Sequence, residues 1–516
     1  MKKLIVLFFI LFTHCAFAQV PEPVMLSLRG IGGNGDDQIL TNVTKTSDGG
    51  FIIAISTNSA PGTGNIDSFC DVAGGRNIFL KYSADGSVLE WDKCSTSGSY
   101  IFPRNDGSFI FGGIATAVPS GWAYEITKED AFGSVLWTKT YGGEAASAIF
   151  RSMIATNDGG YIMMGETNYT DTDFTTHYGS WVNADIGVIK VDSNGNKVWA
   201  KVIGGTGDER GLTIVTAPGD GCYVLATTYS NDYDCMGNHG GDDIYLVCLD
   251  KNGNILWHND IGGSGGDRGN WMTANGKGGV IIAGASSSTD GDITVFPSFG
   301  CPIWALEVDS NKNITWNNCY GGGGGNCYAN AICKATDGSI WVAGVSTDAG
   351  GEADSAYGRD DAWFVHTDST GDFINAKVVG SHLWDRGTMV YPLSNGNVIA
   401  GGFYDTAGGS FSNNWYGGDD AFLTVFSPWT TGITQLQEGD NEIKLYPNPS
   451  NEMVTIESGN TESYDLAVTD IVGKLVYKTN FNSKIAMPVN NWQAGIYFVQ
   501  VVGADGYRCV QKLIVQ

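Results

Sequence analysis

The chain has 516 residues, with 29 Lys and Arg against 55 Asp and Glu, a formal net charge of −26. That acidity argues against nucleic acid and anionic membrane surfaces as partners. With 73 glycines and only 16% charged residues, the composition fits many short strands joined by turns.

The N-terminus opens on Lys2 and Lys3, an apolar run from Leu4 to Phe12, and an Ala16-Phe17-Ala18 box. This pattern predicts a signal peptide over 1–18, with the mature chain beginning at Gln19. The apolar run is too short to span a bilayer, and no later segment is long and apolar enough to do so. Export to an oxidising compartment favours disulfides among the ten cysteines left after Cys15. Cys94 and Cys319 each follow a tryptophan by three residues, so Cys70–Cys94 and Cys301–Cys319 bridges are expected. Zinc is the competing reading, but no paired C-x-x-C spacing supports it.

The turn "SDGGF" (47–51) returns as "NDGSF" (105–109), "NDGGY" (157–161), "GDGCY" (219–223), "GKGGV" (276–280), "TDGSI" (336–340) and "SNGNV" (394–398). The shortest spacing is 52 residues, from Asn105 to Asn157, and the longest is 62, from Asn157 to Gly219. Such periods belong to arrays and propellers. Each turn sits between two β-rich runs; a loop, a third run, a second turn and a fourth run ending in Trp complete the unit. The last unit lacks its fourth run, while "VMLSLRGIGG" (Val24–Gly33) stands alone at the start. The predicted fold is therefore all-β: a seven-bladed β-propeller of four-stranded blades over 24–428, closed by the N-terminal strand. Closure removes a sheet edge that would otherwise invite aggregation. The repeated Trp91, Trp137, Trp199, Trp257 and Trp316 are expected to pack between neighbouring sheets. Asp192, Asp250 and Asp309 begin hairpin turns. This hairpin resembles the Asp-box and quinoprotein-type propeller repeats, with a spacing that departs from both.

From residue 441 the pattern changes to "LYPNPS", "YDLAVTDIVGKLVYK", "WQAGIYFVQVV" and "QKLIVQ". The YPNP entry (Tyr446, Pro447, Asn448, Pro449), a D-x-x-G-K turn (Asp470, Gly473, Lys474), a G-x-Y strand (Gly495, Tyr497) and a basic-apolar end (Lys512, Leu513) carry a resemblance. Residues 441–516 resemble the type A C-terminal sorting domain of proteins exported by the type IX secretion system of Bacteroidetes-type bacteria. The resemblance implies a small β-sandwich recognised by that machinery and then cleaved, with 429–440 as linker and processing region. It places the chain outside the cell or on its outer surface.

Function is expected where the loops are long, between the second and third runs and at the links between units. "IATAVPSGW" (Ile114–Trp122) is the short exception and predicts a notch. Asp171 and Asp173, Asp232 and Asp234, and Asp290 and Asp292 could supply oxygens to calcium; solvated turn aspartates are the alternative. Arg210, Arg268 and Arg386 each follow an acid, offering anion binding or pairing with Asp208, Glu209, Asp267 and Asp385. Trp181, Trp384, Trp415 and Tyr416 suit sugar faces or a protein interface. There is no H-E-x-x-H. Binding or adhesion to an extracellular glycan or protein is the reading preferred; a polysaccharide hydrolase or lyase using two carboxylates is the alternative.

Overall fold

The computed structural model describes residues 23, 25–60, 63–65, 76–95, 98–118, 121–143, 148–294, 303–321, 327–347, 357–411, 415–427, 443–458, 463–470, 475–503 and 508–516. The expected leader 1–18, Val24, Cys70, Cys301, the 429–440 linker, Gly473 and Lys474 lie outside them. The chain divides into two compact units, Met1–Pro428 and Trp429–Gln516.

The first unit is all-β and propeller-like. Apart from a three-residue 3-10 turn at Pro218–Asp220, every regular element among its described residues is a strand. The strands form repeated four-stranded antiparallel sheets. The first sheet holds Asp37–Lys45, Phe51–Thr57, Arg76–Tyr82 and Leu89–Ser95; the second holds Tyr100–Pro103, Phe109–Val118, Gly121–Glu129 and Val135–Tyr141. The third runs Ala148–Ala155, Tyr161–Thr167, Asp185–Val191 and Lys197–Ile203; the fourth runs Glu209–Ala217, Gly221–Thr228, Asp243–Leu249 and Ile255–Ile261. The fifth contains Asp267–Ala274, Val280–Ser286, Ile303–Val308 and Ile314–Tyr320; the sixth contains Tyr328–Lys334, Ile340–Ser346, Asp361–Thr367 and Phe373–Val379. In the last sheet, Asp385–Pro392, Val398–Tyr404 and Asp420–Phe426 are followed by Met25–Ile31, whose Arg29 faces Leu423 and Ile31 faces Ala421.

Burial explains the strand composition. Second and third strands such as Tyr161–Thr167 and Asp185–Val191 are buried at every position, so they are largely apolar without a polar face. Fourth strands have one open flank, and Lys197–Ile203 begins exposed and ends buried.

The turn chemistry is local and repeated. Asp192 Oδ1 accepts the N–H groups of Asn194 and Asn196, both at 2.8 Å, and Asp250 and Asp309 do the same in their hairpins. The Asp192 and Asp250 hairpins place a glycine at positive φ, while the Asp309 hairpin has Lys312 (φ 64°) there. A Cβ on Gly253 (φ 83°) would lie 2.8 Å from Trp199, and one on Gly371 (φ 80°) would lie 2.5 Å from Trp316. The tryptophan of one sheet thus lies over the hairpin of the next, and the Trp199 indole N–H donates to Lys251 O at 3.0 Å.

The short "IATAVPSGW" stretch is taken up by longer pairing. Phe109–Val118 and Gly121–Glu129 continue to a Val118–Gly121 pair, leaving Ile114 and Trp122 exposed. Each expected bridge has one cysteine, Cys70 or Cys301, outside the described residues; Cys94 is disulfide-bonded, and Cys222, Cys235, Cys248, Cys327 and Cys333 are buried thiols.

The second unit builds two sheets. Lys444–Tyr446, Met453–Glu457 and Lys484–Pro488 form one; Leu475–Asn482, Ser463–Asp470, Gly495–Gly503 and Arg508–Val515 form the other. Val454, Ile456, Leu466, Val468, Tyr497, Val499 and Leu513 belong to its own apolar core.

Candidate functional site

The long loops between second and third strands reach back to the Gly-Gly links between sheets. In the third sheet, Asp171 Oδ1 accepts the N–H groups of Asp173 and Phe174 at 2.8 and 2.7 Å. Asp173 then accepts Gly142 N–H at 3.1 Å and pairs with Lys197 at 2.7 Å. In the fourth, Asp232 accepts Thr206 N–H at 2.8 Å and its hydroxyl at 2.7 Å, while Asp234 N–H donates to Gly204 O at 3.2 Å. In the fifth, Asp290 accepts Ser264 N–H at 2.7 Å and Asp292 accepts Gly262 N–H at 3.1 Å. Asn65 with Gly32, and Ser410 with Gly380, occupy the same place at two further links.

Five of the six aspartates weighed as calcium ligands thus have their carboxylates engaged with donors of the loops and links, while Asp234 is tied to its link through its N–H. The backbone bond from Ser264 holds the Asp290 carboxyl below its usual range. Among the described residues, no group of three or more His, Cys, Asp and Glu side chains is placed to hold a metal ion.

Four of these loop-to-link contacts have an apolar plug that the sequence reading missed. Phe174, Cys235, Ile293 and Phe411 are 0–3% exposed and close short turns onto Asp171, Asp232, Asp290 and Gly408. The available signal was a lone apolar residue directly after the second Asp of the first three loops.

At four junctions two buried acids sit behind the link. The first residue of several first strands (Asp37, Glu209, Asp267, Asp385) accepts the N–H four residues earlier, as Glu209 does from Gly205 at 2.8 Å. The first residue of several third strands (Asp185, Asp243, Asp361, Asp420) accepts an N–H from the preceding loop, as Asp420 does from Tyr416 at 2.7 Å. A Cβ on Gly204 would stand 2.0 Å from Asp185 Oδ1, which accounts for the first glycine of the link. Gly204→Ala is expected to cost about 3 kcal/mol through overpacking of a rigid junction. Chemical denaturation of the variant beside wild type measures it.

The arginines divide. Arg210 pairs with Asp208 at 2.8 Å; Arg268 pairs with Asp242, the residue before a third strand, and its Nη2 reaches the Tyr229 hydroxyl at 3.0 Å. Glu209, Asp267 and Asp385 face the junctions as described, and the Arg386 guanidinium stands 5.8 Å over the Phe403 ring.

The aromatic candidates are distributed over several loops. Trp181 is 70% exposed on a turn closed by Asn183 N–H to Ser180 O. Nearby in that loop, Tyr178 packs on the 65%-exposed Tyr233 of the fourth sheet, rings 5.1 Å apart. Around the last sheet, Trp384 has Arg359 5.9 Å over its ring, and Trp415 donates its indole N–H to Gly418 O at 3.0 Å. Tyr416 is 38% exposed.

In the second unit, the entry motif meets the last strand. Asn448 Nδ2 donates to Lys512 O at 2.6 Å, its Oδ1 accepts Ile514 N–H at 2.8 Å, and Ser450 N–H donates to Ile514 O at 2.9 Å. Tyr446 bonds Glu457 and Lys484, the peptides before Pro447 and Pro449 are cis, and Tyr497 donates to Gln493 O at 2.8 Å. Gly495 opens the strand that pairs with the chain end, and Asp470 closes the strand from Ser463. Residues 444–516 match the sequence profile of the secretion system C-terminal sorting domain.

The chain carries a secretion system C-terminal sorting domain. It is accordingly a secreted or cell-surface protein handled by the type IX machinery. Among the described residues no helix is long and apolar enough to cross a membrane.

No curated protein sequence matches the chain. Among solved structures, the extracellular domain of a one component system from B. thetaiotaomicron is similar at TM-score 0.38 and 11% identity, over 95% of this chain and 58% of that one. A puromycin hydrolase is similar at TM-score 0.41 and 10% identity, over 81% and 58% of the two chains. A polysaccharide lyase, ulvan lyase, is similar at TM-score 0.39 and 9% identity, over 72% and 93%. The chain spans less than two thirds of the length of the first two of these.

Proposed function

We propose that residues 24–428 form a seven-bladed β-propeller, closed by the N-terminal strand, whose long-loop face binds an extracellular glycan or protein. Residues 441–516 deliver it. Closure is supported by a bond that recurs from sheet to sheet. The N–H of Glu209, Asp267 and Asp385 donates to the carbonyl of Ala184, Asp242 and Asp360 in the preceding sheet, and Asp37 N–H donates likewise to Asp419 O at 2.6 Å. The bond between the last sheet and the first is thus of the kind found at three other junctions.

The observation that carries the binding reading is exposed aromatic side chains on tightly latched loops. Trp181 (70% exposed), Tyr233 (65%), Trp415 (46%) and Trp384 (42%) remain open although the loops beneath them are fixed by backbone bonds. Large rings held ready lose little entropy when they meet a sugar face or an apolar side chain. Several such positions on one scaffold turn weak contacts into retention. The carboxylates whose pKa rises furthest, Asp185, Asp385 and Asp420, are 0–1% exposed, beyond the reach of a polymer substrate.

The test is a glycan and polysaccharide array probed with the secreted chain, beside an assay for released product. Retention is expected, with Trp181→Ala and Trp384→Ala each weakening it about tenfold, the loss of a ~1.4 kcal/mol contact. Retention indifferent to these residues, or product release abolished by changing one or two carboxylates, rejects the reading.

A further inference from the structure

The buried acids at the sheet junctions have a second property. At four junctions, a third-strand acid of one sheet lies against the first residue of the link, and a first-strand acid of the next sheet accepts the N–H of the second. The pairs are Asp185 with Glu209, Asp243 with Asp267, Asp361 with Asp385, and Asp420 with Asp37, all 0–1% exposed. Around Gly262 the closeness is direct: a Cβ there would meet Asp243 Oδ1 at 2.5 Å and Asp267 Oδ2 at 2.7 Å. Two buried carboxylates so placed cannot both ionise without a compensating charge.

At two junctions a histidine stands against the third-strand acid. His177 Nδ1 stands 2.7 Å from Asp185 Oδ2, and His239 Nδ1 stands 2.9 Å from Asp243 Oδ2. The other two have no such partner among the described residues. Asp361 Oδ2 accepts Tyr357 N–H at 2.9 Å, and Asp385 Oδ2 accepts Ser381 N–H at 2.6 Å and its hydroxyl at 3.0 Å. Their Oδ1 atoms, and that of Asp37, are buried and meet no donor. The charged neighbours of this pair are Asp360 and Asp405, both of the wrong sign, and His382 of the same link packs on Gly408. Asp420 faces Asp37, Asp419 and the Tyr404 hydroxyl; Asp37 faces Asp36, Thr57 and Ser59. Space is short as well: a Cβ on Gly380 would be 1.9 Å from Asp361 Oδ1, and one on Gly32 would be 1.7 Å from Asp420 Oδ1. A proton fits where a hydrated cation does not.

We propose that Asp361/Asp385 and Asp420/Asp37 each keep one proton in mildly acidic solution, making these two junctions a proton-dependent lock that loosens as pH rises toward neutrality. Burial, reinforced by the neighbouring acids, pushes Asp385 and Asp420 up to about 7 and raises Asp37 and Asp361. The folded state therefore holds protons that the unfolded chain, at 3.8, has released. Stability falls as pH rises from about 4 to about 7. The turn acids work in the opposite sense in another window. Hydrogen bonds from Ser83 and Lys190 hold Asp85 and Asp158 down to about 2, a contribution lost between about 4 and 2. Maximum stability is thus expected near pH 4–5.

The inference rests on the junctions and not on the ligand reading, so either can fail alone. Thermal unfolding of the secreted chain from pH 5 to pH 8 should show a falling Tm. Unfolding in weakly buffered solution near pH 6 should release protons. D385N and D420N place an N–H where the acid carries its proton, and together should flatten the pH slope. A Tm that is level or rises from pH 5 to 8, proton uptake on unfolding, or an unchanged slope in a folded D385N/D420N variant overturns the lock. If the variant does not fold, the proton count on wild type decides. Recovery of Tm at pH 8 by millimolar calcium assigns the junctions to a cation and overturns it equally.

Discussion

Removing residues 444–516 is expected to abolish delivery to the surface while leaving the propeller-like unit folded. The sorting domain encloses its own core, with Val454, Ile456, Leu466, Val468, Val499 and Leu513 each 0–1% exposed. A unit with its own core can be lost without unfolding the other. Cell fractionation should find the truncated chain retained in the envelope at a level where wild type is outside. Near-UV circular dichroism of the retained material should keep the signature of ordered tryptophans. Equal export of the truncated chain rejects the assignment of the signal to this domain, and a collapsed near-UV spectrum rejects independence of the cores.

Deleting Met25–Ile31 is expected to remove most of the stability of the first unit. This strand pairs with Asp420–Phe426 from Met25 to Ile31, and Thr424 donates its hydroxyl to Ser27 O at 2.7 Å. Ile31 is fully buried in a cluster with Ile39, Ile53 and Leu80 of the first sheet and Met389, Ala421 and Leu423 of the last. Losing that side chain alone costs about 2–5 kcal/mol, against a total of roughly 5–15 kcal/mol for a folded domain. The deletion also bares one edge of Asp420–Phe426, an invitation to intermolecular pairing. Size-exclusion chromatography should show aggregates, and Ile31→Ala should give a milder loss of about 3 kcal/mol by denaturant titration. A monomeric deletion variant with the wild-type melting temperature ends the closure argument.

The sequence by itself determined the punctuation and the address. "DSNGN" and "DKNGN" specify their turns within five residues, because Asp192 and Asp250 bond N–H groups two and four positions on. The apolar runs between turns name the buried strands for the same reason: side-chain alternation and turn formation are local. The sorting domain was equally legible, since Tyr446 to Pro449 and the final strand are contiguous motifs. What only the tertiary structure decided is where the acids and arginines spend their charge. Asp173, Asp232 and Asp292, weighed from the sequence as calcium oxygens or turn aspartates, accept the N–H groups of Gly142, Thr206 and Gly262, 26 to 31 residues away. Arg268 follows Asp267 in the chain yet pairs with Asp242 across a sheet junction, while Asp267 turns inward to Gly263. A carboxylate's partner is whatever donor the packed backbone brings within about 3 Å. That is settled by how sheets stack and not by which residues are neighbours in sequence.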